Sequence, residues 1–375
     1  MHSISIISRS ITSTGFSGSR ESQNHNQHSA SYGSIAKNNQ GQDQRNGQQQ
    51  AALVNINTDI GGNTPDSYDS YSSFTHLPSI FSSTTNVLGD SGTENQQSQG
   101  LNQRAVVKEN SYPGSFPYVS HRGPLAKNQG SQDQGSDQQS DSDVNINTKI
   151  GDPIVICDPV PHPDVSDPEV IVDDIISRSG TGNFQEQWAD QDAEVKPQHI
   201  LRRQPKDPAI NELEQDQDAN KRTNARNNTS ISVGPGGRHD PYGIGVGPTS
   251  IFASRTLAEG RSVNRQNQGY NQAAVANSGY SNEYADNSAR SAQNNDSDTA
   301  SDNKLSILYR TNQPSPLYAE VYQHASIAED TSEQSEHSQQ AAAATGPSNK
   351  ARNRGAGYQD NSQWTNARMT VNIDV

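Results

Sequence analysis

The sequence predicts a predominantly intrinsically disordered, low-complexity chain. It is expected to carry isolated short β-strand or hairpin segments, one or two short helices and no sizeable globular core. Three observations carry that expectation. Hydrophobic residues make up only 29% of 375 positions, and the 29 glycines leave the sum short of the apolar share of ordinary domains. Ordering each residue costs roughly 1–2 kcal/mol of backbone entropy, while burial returns only about 25 cal/mol per Å² of apolar surface. Charged residues are 19% with a net charge of -14, and Gln, Asn, Ser, Gly and Asp fill long tracts between them.

Residues 1–35 are Ser/Asn-rich, with one β-prone patch from Ile4 to Ile7. Residues 36–61 hold a Gln-rich tract that ends in Val54-Asn55-Ile56-Asn57-Thr58, and 62–125 form a Ser/Tyr/Pro segment. Residues 126–151 repeat the Gln-rich tract and end in Val144-Asn145-Ile146-Asn147-Thr148. With a single offset of 90, sixteen of the twenty-nine positions from Gly33 to Gly61 are identical in the later copy, which marks an internal duplication. Two copies alone fall short of the three stacked units a solenoid needs. Val54, Ile56, Val144 and Ile146 alternate with the strand period. Each copy is therefore expected to add to a partner's sheet edge or to pair with the other copy. The closing MTVNIDV is a third, shorter echo.

Residues 152–200 are the most order-prone. Two β-branched runs, 154–156 and 170–172, flank a Pro-rich segment that favours extended chain. Asn183 to Val195 reads as a helix capped by Asn183, with Phe184 and Trp188 four apart on one face. Asp207 to Leu213 reads as a second, with Pro208 at its first position. Residues 201–303 are Gly/Asn/Gln/Tyr-rich and resemble prion-like segments, disordered but prone to self-association. Residues 304–330 form a tyrosine motif island, and 331–375 a disordered tail with a C-terminal ligand.

No enzyme, cofactor or metal site is expected. Gly89-Asp90-Ser91-Gly92 resembles the nucleophile loop of trypsin-like proteases over four residues, without a base to activate the serine. Cys157 with His162 reads as a small apolar residue in a β-prone run, and His25 with His28 as solvated polar residues. The acidic balance argues against nucleic acid. No run approaches a membrane span, and the absence of a signal sequence gives a cytoplasmic expectation.

In a disordered chain function sits in short segments that order on binding. Tyr318-Ala319-Glu320-Val321 resembles phosphotyrosine sites read by SH2 domains, with Val321 filling the apolar pocket. Tyr280-Ser281-Asn282 resembles a variant of the same, and Ser315-Pro316 a proline-directed phosphosite. Ile373-Asp374-Val375 is similar to ligands that PDZ domains take as an added strand. These features describe a non-catalytic scaffold or adaptor with protein partners and weak self-association. A Gln-rich acidic transcriptional regulator, whose helix would carry Phe184 and Trp188, is the alternative. A secreted structural protein is the second.

Overall fold

A chain that alternates between two chemistries at every second residue is satisfied by one backbone, the β-strand, even when few side chains are apolar. From Asn211 to Asn220 the odd positions are Asn, Leu, Gln, Gln and Ala, and the even ones Glu, Glu, Asp, Asp and Asn. The computed structural model follows such an alternation. It describes residues 4–32, 35–60, 80–108, 125–151, 169–172, 174–196, 207–234, 249–277, 283–309, 317–345 and 350–374.

Every element among the described residues is a strand. In chain order they are β1 (Ile4–Tyr32), β2 (Ile35–Ile60), β3 (Ile80–Lys108), β4 (Leu125–Gly151), β5 (Glu169–Val172) and β6 (Ile175–Val195). β7 (Asp207–Gly234), β8 (Thr249–Asn277), β9 (Glu283–Tyr309), β10 (Leu317–Thr345) and β11 (Lys350–Asp374) complete the set. One sheet has the order β1-β3-β5/β6-β8-β10, β5 and β6 occupying a single level, and the other β2-β4-β7-β9-β11. All pairings are parallel and in register.

The chain thus climbs through five rungs, each contributing one level to each sheet, in a solenoid-like stack. The sheets face one another with the chain reversed between them. Gly89, early in β3, lies against Ser142 and Val144, late in β4, whereas Gly130, early in β4, lies against Leu101, late in β3. A Cβ at Gly130 would stand 2.3 Å from Leu101 Cδ2, so any larger residue there would force the leucine side chain to move.

Apolar residues form three separate clusters between the sheets. The largest gathers Val54, Val144, Ile146, Ile231, Ile251, Leu305 and Ile307 at the end away from the fold-back. A second consists almost entirely of alanines, including Ala126, Ala193, Ala209 and Ala274. Leu101, Leu213 and Tyr270 lie between. Buried Gln, Asn, Ser and Thr fill the rest of the interior.

Amide ladders make that interior possible. Gln359 donates to Gln293, Gln293 to Gln217, Gln217 to Gln134 and Gln134 to Gln44, at 2.7, 3.1, 3.0 and 3.3 Å. The central amides use their second proton to cross to the facing sheet: Gln217 donates to the Asn267 carbonyl at 3.1 Å and Gln134 to that of Glu186 at 3.1 Å. A carbonyl oxygen has two lone pairs, so these bonds add to the sheet ladder without competing with it. A parallel column runs Asn38, Asn128, Asn211, Asn287, Asn353, with donors pointing the opposite way at 2.9–3.0 Å. In-register stacks of this kind also hold long strands flat against their natural twist.

The stack corrects the expectation of disorder. The sheets cover segments of 1–35, 62–125, 201–303 and 331–375 for which no packing was expected, and the two expected helices are β6 and the start of β7. Counting apolar surface alone omitted the ladder bonds, each of which is worth about 0.5–1.5 kcal/mol net. The internal repeat does pair with itself: Val54 stands opposite Val144 and Ala36 opposite Ala126, at the offset of the duplication. It is part of a five-level stack rather than an isolated pair. The terminal echo joins it shifted by two residues, with Val371 opposite Leu305 in the column of Ile56 and Ile146.

Asn86 takes a left-handed φ of 54°, a conformation that asparagine tolerates better than most residues. It falls where the pairing of β1 with β3 skips a position, between Arg9–Thr85 and Ile11–Val87. At the same level of β8 the buried face changes parity, from Ile251 to Thr256.

Candidate functional site

With most interior amides engaged in ladders, the groups left to act among the described residues are those on the outer faces, those at the two ends of the stack, and one sealed ion pair. The ion pair is Lys221 and Asp330. Lys221 occupies an inward column held at other levels by Gln48, Gln138, Ser297 and Gln363. It is 1% exposed, and its Nζ lies 4.0 Å from Asp330 Oδ1, both side chains being sealed from solvent. Neither Lys221 Nζ nor Asp330 Oδ2 has a hydrogen bond. Burial pulls the Lys221 ammonium down to about 8, with Asp330 opposing the shift. The sequence signal was present, since a lysine at an inward-parity position breaks the alternation beside Arg222.

The sign of its pH effect follows. In the unfolded chain the ammonium keeps its proton up to its ordinary value of 10.5, and in the folded chain only up to about 8. Between those values the unfolded state binds more protons, so stability rises with pH. The interval corresponds to about 3 kcal/mol. Urea denaturation across pH 7–10.5 is expected to show this rise in the native sequence. The double variant Lys221→Gln/Asp330→Ser, which continues both columns, is expected to lack it and to be the more stable at pH 7.

On the outer face of the first sheet, β6 presents Phe184 and Trp188, four residues apart, as they would also be on one face of a strand. Trp188 is 42% exposed. Its column neighbours are Gly100 and Gly269, and a Cβ at Gly269 would lie 2.3 Å from the indole ring, so the ring rests on a glycine floor. Phe16 covers Gly92 in the same manner, at 2.9 Å from a Cβ placed there. Glu186 and Asp190 flank Trp188 on the same face. Nearby, burial raises the Asp192 carboxyl against the pull of Arg104, whose Nε is 3.3 Å away.

Opposite charges face each other in register across both outer faces. Arg178 meets Glu259 at 3.1 Å, Arg265 meets Glu333 at 3.0 Å, and Arg45 meets Asp133 at 3.2 Å. Such exposed pairs add little stability, but a slip of one level would set like charges together. Asp216 sits beneath Asp133; burial and then that like charge raise its carboxyl. A trough of about 330 Å³ on the second sheet is lined by Gln129, Ser131, Glu212, Glu214 and Arg290, among others.

The remaining sequence-derived residues are distributed as follows. Val54, Val144 and Ile146 are buried and Ile56 is partly buried, all in the largest apolar cluster, and Val321 packs against it. Tyr318 lies within β10 opposite Ser250. Ile373 is exposed on β11, opposite Ile307. Tyr280, Ser315 and Val375 lie outside the described residues, as do Cys157 and His162. His25 and His28 fall on opposite faces of β1, and Ser91 bonds Ser140 Oγ at 2.8 Å inside the stack. Among the described residues no group of three or more His, Cys, Asp or Glu could hold a metal ion, and no helix is long and apolar enough to cross a membrane. Comparison with protein-family models, curated proteins and solved structures gives no match.

Proposed function

We propose that the protein is a non-catalytic scaffold that displays side chains to protein partners from the rigid outer faces of its two sheets. The observation that supports this is the Phe184/Trp188 surface, where the Trp188 ring stays 42% exposed over a glycine in the middle of the sheet, beside the half-buried Phe184. Tryptophan in such a setting is the residue type most enriched at binding hot spots. The fold supplies what a scaffold needs: neighbouring levels are spaced at about 4.8 Å, so each outer group has a fixed place.

The test is affinity capture from the native cell with the full chain, comparing the native sequence with Trp188→Ala/Phe184→Ala. Loss of a hot-spot tryptophan costs about 2 kcal/mol or more, roughly thirtyfold in affinity. A defined partner is therefore expected whose recovery collapses with the variant while the far-UV spectrum stays unchanged. An identical partner set for both proteins would rule this surface out.

A further inference from the structure

The two ends of the stack carry unpaired strand edges, and their chemistry is matched. We infer that copies of this chain stack head to tail, rung five of one copy on rung one of the next, as continuous in-register parallel sheets. This goes beyond display from the outer faces and stands or falls separately, since it concerns only the ends.

Three observations lead to it. The first is the direction of the ladders. In the columns of Gln134 and of Gln185 the donors point toward rung one, and in those of Asn128 and Asn183 toward rung five. The ends are therefore different and complementary. Gln44 is 2% exposed, yet its Nε2 has no partner, because the acceptor it would meet lies one level beyond the chain. At the other end Gln359 spends its Nε2 on Gln293 and turns its acceptor outward. A head-to-head contact would set donor against donor in the glutamine columns, and head-to-tail sets donor against acceptor.

The second is the continuity of the columns. Carrying the register one level further puts Ala351 on Ala36, Asn353 on Asn38 and Gln359 on Gln44, each on its own kind. On the outer faces it puts Glu333 over Arg20 and Asp360 over Arg45, opposite charges, and Arg352 over Lys37, a like pair, so the amide and alanine columns rather than the charges carry the match.

The third is exposed apolar surface. Of the ten large apolar residues left exposed among the described residues, Phe16, Ile35 and Leu53 are in rung one, and Tyr358, Trp364, Met369, Val371 and Ile373 in rung five. Met369, Val371 and Ile373 continue inward columns that a next copy would cover, with Val371 standing over Ile56. A head-to-tail contact is heterologous, and repeated without closure it generates an open filament.

The experiment uses the purified full chain, incubated with and without fragments of its own assemblies, and read by electron microscopy and fibre diffraction. Unbranched fibrils are expected, with a reflection near 4.8 Å along the axis and growth accelerated at least tenfold by fragments. Ala367→Lys places a charge at an inward position of β11 that reaches solvent in a lone chain and is buried in a stack, and Gln359→Lys does the same in a ladder column. Both are expected to keep the far-UV spectrum and lose growth tenfold or more. A native chain that stays monomeric, a closed head-to-head dimer, or fibrils that grow equally from folded forms of both variants would each overturn the inference.

Discussion

Deleting Asp216 alone is expected to abolish the folded state, whereas deleting Asp216 together with Gln217 leaves a folded but weakened chain. The strand period is two, so losing one residue turns everything after it in β7 to the opposite face. Asp218, Arg222 and Arg226 would enter the interior, and Ile231 and Val233, now buried in β7, would face water. Burying each uncompensated charge costs several kcal/mol, and three of them exceed the roughly 5–15 kcal/mol by which a native fold is stable. Removing two residues restores the parity and shifts β7 by one column. Far-UV spectra and urea titrations of the two deletions give the comparison. Equal stability would mean that alternation does not hold the stack together.

The second large effect is expected at Asn211. Its side chain donates to Asn287 Oδ1 at 2.9 Å and to the Ala273 carbonyl at 2.8 Å, and accepts from Asn128 at 2.9 Å. Asn211→Leu breaks the column at its centre, leaving Asn128 with a lost acceptor and Asn287 with a lost donor, both 0% exposed. Each orphaned buried group costs about 1–3 kcal/mol, so a loss of about 2–6 kcal/mol is expected in chemical denaturation. Asn353→Leu ends the same column in exposed β11, and about 1 kcal/mol or less is expected there. A central loss no larger than the terminal one would show that the column acts as separate pairs.

Much of this fold was written in the sequence in a form that hydropathy does not weigh. The duplication at an offset of 90 is a direct statement of register, and Val54 does meet Val144. The later levels keep the alternation but exchange the residues, so that Val144 is followed by Asn227 and Asn303, and Ile146 by Thr229 and Leu305. Identity fades and polarity changes within a column, while the alternation of inward and outward positions persists. Phe184 and Trp188 were legible as a pair on one face, because a spacing of four falls on the same side of a helix and of a strand. The helix expectation for Asn183 to Val195 rested on that ambiguity. What decides for the strand is the run of Asn183, Gln185, Gln187 and Gln191, whose amides find counterparts at the same height in β3 and β8. No local signal announces those partners, which stand 81 and 88 residues away. Lys221 was readable as a break in parity, but its neutraliser, Asp330, comes from a strand two levels above.

The opposed orientation of the glutamine and asparagine columns has an electrical consequence. Aligned amides in one direction would add their dipoles as a helix does, building a potential that grows with every level. Here the asparagine columns run against the glutamine ones, so part of each contribution is cancelled at every height. Lengthening the pile therefore raises less voltage between its tips than columns of a single sense would.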